Sequence, residues 1–109
     1  MKNKDIRLDL LRKLEVNPKY TQRELSLETS VSLGKVNYCL RALKDKGFIK
    51  INNFKKNPNK INYIYILTPK GINQKTKLTI NFMKRTIKEY EELKSELSND
   101  YKKINKKLD

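Results

Sequence analysis

Apolar residues recur along the first part of the chain in short helical runs, each bounded by a start or a stop signal. Ile6, Leu10, Leu11 and Leu14 fall at helical spacing and Asn17-Pro18 ends the pattern, which predicts an amphipathic helix over residues 4–16. Its stripe needs a cover from elsewhere in the chain. The next start is more fully marked. Thr21 is placed to cap, Glu24 three residues on completes a capping box, and Tyr20 and Leu25 flank the pair as a hydrophobic staple. A second helix therefore begins at Thr21, and it is short because Thr29 and Ser30 dilute the apolar pattern before Val31. Ser32 offers another N-cap with Val31 and Val36 as its staple, and Lys46-Gly47 supplies a basic last turn and a glycine stop. A third helix is expected from about Leu33 to Lys46.

Two short helices joined by a three-residue turn at Ser30-Val31-Ser32 have the spacing of a helix-turn-helix. The chain after Gly47 decides which kind. Phe48-Ile-Lys-Ile51 and Asn62-Tyr-Ile-Tyr-Ile-Leu67 are rich in β-branched and aromatic residues, whereas Asn52–Ile61 between them is turn-forming and basic. That predicts a β-hairpin with a lysine-bearing tip, a wing. Thr68 before Pro69 then starts a fourth helix.

From Ile80 onward apolar residues alternate by three and four through Met83, Ile87, Tyr90, Leu97, Tyr101, Ile104 and Leu108, with Lys94 as the one cation in the seam. Sustained over about four heptads, this is a coiled-coil pattern. A helix from Pro69 to Leu108 spans about 60 Å at the usual rise. Much of it should project and pair with the same helix of a second chain; a hairpin folded back at Ser98-Asn99 is the alternative. The expected architecture is mainly α with a small β-hairpin. A winged helix-turn-helix DNA-binding domain takes residues 1–69 and a long coiled-coil dimerisation helix takes residues 70–109, with no linker between them.

Charge narrows the partner. The 109 residues carry 26 Lys and Arg against 12 Asp and Glu, a net charge of +14, which repels itself unless a polyanion is present. Double-stranded DNA is the first candidate. An anionic membrane would favour a basic helix with Trp or Phe on its apolar face, and the chain has no Trp. Residues 1–69 hold 15 basic and 6 acidic side chains, which makes this half the better nucleic-acid face. There is no histidine, Cys39 is the one cysteine, and the three glycines are scattered, so zinc sites, histidine acid–base chemistry and glycine-rich phosphate loops have no residues to build on. No enzyme activity, metal or cofactor is expected. The start of the chain has no apolar h-region, no run reaches the length of a membrane span, and Cys39 alone cannot form an intramolecular disulfide, so a cytoplasmic home is expected.

In the third helix, Val36, Leu40 and Leu43 share one face with Cys39 at its edge, while Lys35, Asn37, Tyr38 and Arg41 fall on the other. Arg and Lys pair with guanine acceptors and Asn pairs with adenine, so this second face has the chemistry to read a major groove. A solvated polar face is the plainer alternative. Lys35 tips the balance, because a cation in a first turn opposes the helix dipole, no acid precedes Asp45 in this helix, and an incoming phosphate would compensate. Gly34 beside it would let backbone approach DNA closely. Lys55, Lys56 and Lys60 on the wing suit phosphate contacts, or else protect a strand edge. The candidate DNA-binding residues are thus Thr21, Ser32, Gly34, Lys35, Asn37, Tyr38, Arg41, Lys55, Lys56 and Lys60. Tyr63 and Tyr65 leave open an RNA-associated alternative with stacking aromatics. A protein-interaction adaptor is the third class. Phe54 reads as a packed wing residue and Cys39 as a packing residue. No small-molecule effector is legible.

The run Thr-Gln-Arg-Glu-Leu from Thr21, Val-Ser-Leu-Gly-Lys-Val-Asn-Tyr-Cys-Leu-Arg-Ala-Leu from Val31, Lys-Gly-Phe-Ile from Lys46, Asn-Phe at Asn53, and Tyr-Ile-Tyr-Ile-Leu-Thr-Pro-Lys-Gly-Ile from Tyr63 resembles MarR-type regulators associated with exopolysaccharide gene clusters. The resemblance covers nearly the whole chain. It implies a bacterial winged-helix repressor or activator of polysaccharide synthesis genes, with Lys35, Asn37, Tyr38 and Arg41 at the DNA. Thr29 and Ser30 stand where helix-turn-helix proteins usually place a leucine and a glycine, so a looser turn is expected. The longer N-terminal dimerisation helix and aromatic-effector pocket of larger MarR proteins are not carried over, because the first helix here starts at the chain end.

Overall fold

The computed structural model describes residues 5–57 and 60–108, with the side chains of residues 5–53 and 62–106. Its elements run α1 (Ile6–Val16), α2 (Gln22–Thr29), α3 (Leu33–Asp45), β1 (Ile49–Asn57), β2 (Lys60–Leu67) and α4 (Pro69–Leu108). The architecture is mainly helical with a two-stranded antiparallel hairpin, a winged helix-turn-helix followed by a long C-terminal helix. Two compact units are distinguished, Met1–Leu78 and Thr79–Asp109.

The start of α1 is set by Asp5, whose carboxylate accepts from the N–H groups of Arg7 and Leu8. Leu8, Leu10, Leu11 and Leu14 turn inward and are buried. Ile6, assigned to the stripe from spacing, is half-buried, and Leu8 takes the inward place. Each fully buried leucine contributes about 1.5–3 kcal/mol, so this quartet anchors α1. The cover that it needs comes from α2, α3 and β2, and Leu25, Val36, Leu40, Leu43, Ile49, Tyr65 and Leu78 are buried in the same unit.

The capping box of α2 is complete. The Glu24 amide donates to Thr21 Oγ1 at 3.0 Å, and the Thr21 amide donates to Glu24 Oε1 at 3.1 Å. The turn that follows is held firmly, against the looser turn expected of Thr29 and Ser30. Ser30 takes the left-handed conformation, φ 57°, in the place of a glycine. The Val31 amide donates to the Ser26 carbonyl at 3.2 Å, and Ser26 Oγ donates back to the Val31 carbonyl. Thr29 is buried with its hydroxyl donating to the Leu25 carbonyl at 2.6 Å, which removes the cost of putting a polar residue where a leucine usually packs.

Ser32 caps α3 by accepting from the Lys35 amide at 3.2 Å. At the far end Gly47, φ 78°, donates to the Lys44 carbonyl and Phe48 to that of Leu43, the pair of bonds of a Schellman stop. The hairpin is longer than its propensities suggest. Asn52 and Asn53, read as turn residues, pair with Ile64 and Tyr63, and the register shifts only between Lys55 and Asn57. Strand propensity is weak beside the ladder and the packing of the strands, and here the ladder wins. Tyr65 is buried and ties the hairpin to the helices, its amide donating to the Pro18 carbonyl at 3.0 Å and its hydroxyl accepting from Gln22 Nε2 at 3.3 Å.

Thr68 opens α4. Its hydroxyl accepts from the Gly71 amide at 3.0 Å and donates to the Gly47 carbonyl at 2.6 Å, so one side chain caps α4 and closes the end of α3. The second unit is the remainder of α4, unbroken through Ser98 and Asn99, which removes the hairpin alternative. Ile80, Met83, Ile87, Tyr90, Leu97, Tyr101 and Ile104 are 47–59% exposed. Leu93, absent from the expected seam, is exposed with them. Its spacing of three from Tyr90 and four to Leu97 was the available signal. The side chain of Leu108 lies outside the described residues. Among the described residues no helix is long and apolar enough to cross a membrane.

Candidate nucleic-acid interface

The inward face of α3 carries Val36, Cys39, Leu40 and Leu43, all buried, so its remaining positions must face out. Gly34, Lys35, Tyr38 and Arg41 are exposed and Asn37 is half-buried. Lys44, which was not singled out from the sequence, is exposed one turn beyond Arg41 and seven residues beyond Asn37; that spacing on one face was the signal for it.

Asn37, Leu40, Arg41 and Lys44 meet Gln22 of α2 and Ile51, Tyr63 and Tyr65 of the hairpin around a cleft of about 240 Å³. Tyr38 is not part of it. Its ring, 73% exposed, borders a separate cavity of about 280 Å³ with Ile6, Cys39, Phe48 and Leu78. Thr21 and Ser32 stand at the helix starts as caps, each accepting from the third amide of its helix, so any contact to a partner would have to use their hydroxyl protons. Lys55, Lys56 and Lys60 lie on the paired strands β1 and β2, but their side chains fall outside the described residues, as does that of Phe54. The two-ring platform of the RNA reading is not formed. Tyr65 is buried at 3% exposure whereas Tyr63 on the same strand face is 49% exposed, which leaves one ring for stacking.

A methyl group added at Gly34 would meet no atom within 4 Å. Packing inside the chain therefore does not account for a glycine that costs about 1 kcal/mol against alanine in a helix.

Charge is distributed unevenly over the first unit. Ion pairs among the described residues include Asp5–Arg7 at 3.3 Å, Lys13–Glu28 at 3.2 Å and Glu15–Lys75 at 2.8 Å, on α1 with its cap, α2 and α4. Lys35, Arg41 and Lys44 have no such partner among the described residues, and the first turn of α3 holds no acid. Burial pushes the Asp5 carboxyl up, but the Arg7 guanidinium and the N–H groups of Arg7 and Leu8 outweigh it and hold the group below the usual carboxylate range. Among the described residues, the acids of these ion pairs therefore lie at or on α1 and α2, and none of them pairs with a cation of α3.

Residues 4–50 match the family described as winged helix-turn-helix DNA-binding. Among solved structures, the fold is similar to a transcriptional regulator homologue from Pyrococcus horikoshii OT3, at 16% identity and a TM-score of 0.58 over 76% of this chain and 80% of that one. It is also similar to ZitR, a zinc-responsive MarR family member from Lactococcus lactis, at 22% identity and a TM-score of 0.60 over 85% of this chain and 62% of that one. For MarR of Staphylococcus aureus the identity is 19% and the TM-score 0.54, over 74% and 54% of the two chains. This chain therefore spans less than two thirds of the length of the latter two. No curated protein matches it in sequence. The family match over residues 4–50 and these structures agree on one fold, a winged helix-turn-helix.

Proposed function

We propose that this chain is a sequence-specific transcription regulator of MarR type that binds duplex DNA as a homodimer. In this reading α3 enters the major groove, with Asn37 and Arg41 at base edges and Lys35 near a phosphate, while the hairpin lysines meet phosphates beside the groove. The observation that carries it is the outward face of α3. Its cations have no acidic partner among the described residues, it offers a residue type suited to adenine and one suited to guanine, and Gly34 leaves its first turn bare.

The exposed seam of α4 supports the homodimer. Seven large apolar side chains at heptad spacing, each about half exposed, need a cover, and a second copy supplies one by symmetry. Two recognition helices would then favour a palindromic operator with half-sites about one turn, roughly 34 to 36 Å, apart. Exopolysaccharide synthesis genes as targets rest on the sequence resemblance alone.

Selection of bound duplexes from a random DNA pool tests this function. Enrichment of a palindromic sequence is expected. Recovery of the pool without enrichment, or tighter binding to folded RNA at matched salt, overturns it.

A further inference from the structure

We propose that the cleft between α2, α3 and the hairpin is the seat of a DNA backbone phosphate, held by Lys44, Tyr63 and Gln22, and that it fixes the register in which α3 meets the bases. The inference rests on α3 being the groove-reading helix and adds to it Lys44, Tyr63 and Gln22, none of which is among the DNA-binding residues expected from the sequence.

Three elements converge on this cleft from residues far apart in the chain. Gln22 is the first residue of α2, and the capping box satisfies the amides of Thr21 and Glu24 but not those of Gln22 and Arg23, which remain without a partner among the described residues. A helix start offers an anion both free N–H groups and the positive end of the dipole. The Gln22 carboxamide is held in place by its bond to Tyr65, whose ring is buried beneath it.

Lys44 lies toward the C-terminal end of α3. The N-terminal residues of a recognition helix reach base edges, and a cation a turn or two farther along meets the sugar-phosphate wall of the groove. Tyr63 stands opposite on β2, half exposed, with a hydroxyl able to donate. The lining holds Arg41 and Lys44 and no acid, and its floor is apolar, formed by Leu40, Ile51 and the Tyr65 ring. A low-dielectric floor under two cations strengthens the field at the mouth. A phosphate oxygen accepts from the Lys44 ammonium, the Tyr63 hydroxyl and the Gln22 carboxamide N–H alike, which suits these three groups to the backbone beside the bases that Asn37 and Arg41 meet.

Fluorescence anisotropy with the enriched duplex and a random duplex, each over a series of salt concentrations, tests the seat in Lys44→Gln and Tyr63→Phe full-length protein. Lys44→Gln is expected to weaken both duplexes by the same factor and to flatten the salt dependence by about one unit of slope. Tyr63→Phe, which keeps the ring, should weaken both equally and leave the slope unchanged. Arg41→Ala serves as the contrast, lowering the ratio of specific to random affinity. Loss confined to the enriched duplex in Lys44→Gln would make Lys44 a base reader and overturn the seat, as would unchanged affinity and slope. Wild-type protein that binds neither duplex overturns the regulator function and the seat together.

Discussion

A β-carbon added to Gly71 would stand 1.9 Å from the carbonyl oxygen of Phe48. No side chain tolerates that approach, so the first turn of α4 lies directly on the backbone that links α3 to β1. The same oxygen accepts from the Thr68 amide at 3.0 Å, and Lys70 Nζ sits 5.4 Å from the centre of the Phe48 ring. Gly71→Ala must shift α4 or the hairpin, and a loss of about 1–3 kcal/mol is expected. Urea denaturation checks it; wild-type stability in that variant would mean that the backbone has room to relax.

Gly34→Ala should behave in the opposite way. With no atom within 4 Å of the added methyl group, the folded state gains helix propensity, roughly 0.5–1 kcal/mol. Duplex binding should weaken if backbone meets DNA there. A variant with higher melting temperature and undiminished affinity would show that Gly34 is simply a tolerated residue.

Base reading and phosphate contact separate in a mutant series. Asn37→Ala and Arg41→Ala are expected to cost roughly 1–3 kcal/mol on the enriched duplex and little on random DNA. Lys55→Ala and Lys56→Ala should weaken both alike and flatten the salt dependence. Equal losses on the two duplexes for Arg41→Ala would take it out of the base-reading role.

The seam of α4 predicts the oligomeric state. Light scattering at micromolar concentration should give a dimer for the wild type and a monomer with weakened operator binding for the Ile87→Asp, Leu97→Asp double variant. Lys94→Leu should resist dissociation on dilution, since the one seam cation is removed. A monomeric wild type, or a double variant that still dimerises, would assign the seam another purpose.

Acid should loosen α1. Because Asp5 is held below its ordinary value in the folded chain, its charged form stabilises the fold at pH values above the unfolded carboxylate range, and that stabilisation is lost as pH falls from about 4 through the lower folded value. Asp5→Asn keeps a capping oxygen but removes the charge. Its stability should be lower than wild type at pH 7 and converge with it once the pH has fallen through the lowered folded value of Asp5. A constant gap across that range would mean that the charge of Asp5 contributes nothing.

Much of the molecule is written locally. The caps at Thr21, Ser32 and Thr68, the stop at Gly47 and the heptads after Ile80 were legible because each depends on residues three or four apart, the range over which backbone hydrogen bonds and helix faces repeat. The outward set of α3 followed from the same periodicity. What the sequence could not decide was which distant residues share an environment. Tyr63 and Tyr65 are alike in type and strand face, yet one is half exposed and the other buried, because only Tyr65 lies under Gln22 and against the Pro18 carbonyl, more than 40 positions away in the chain. Lys44 joined the site only when α2 and the hairpin closed around it, and Gly71 became obligatory only when α4 was laid on Phe48. Local rules choose the elements; burial and close approach are properties of pairs brought together by packing, and no window along the chain contains both members.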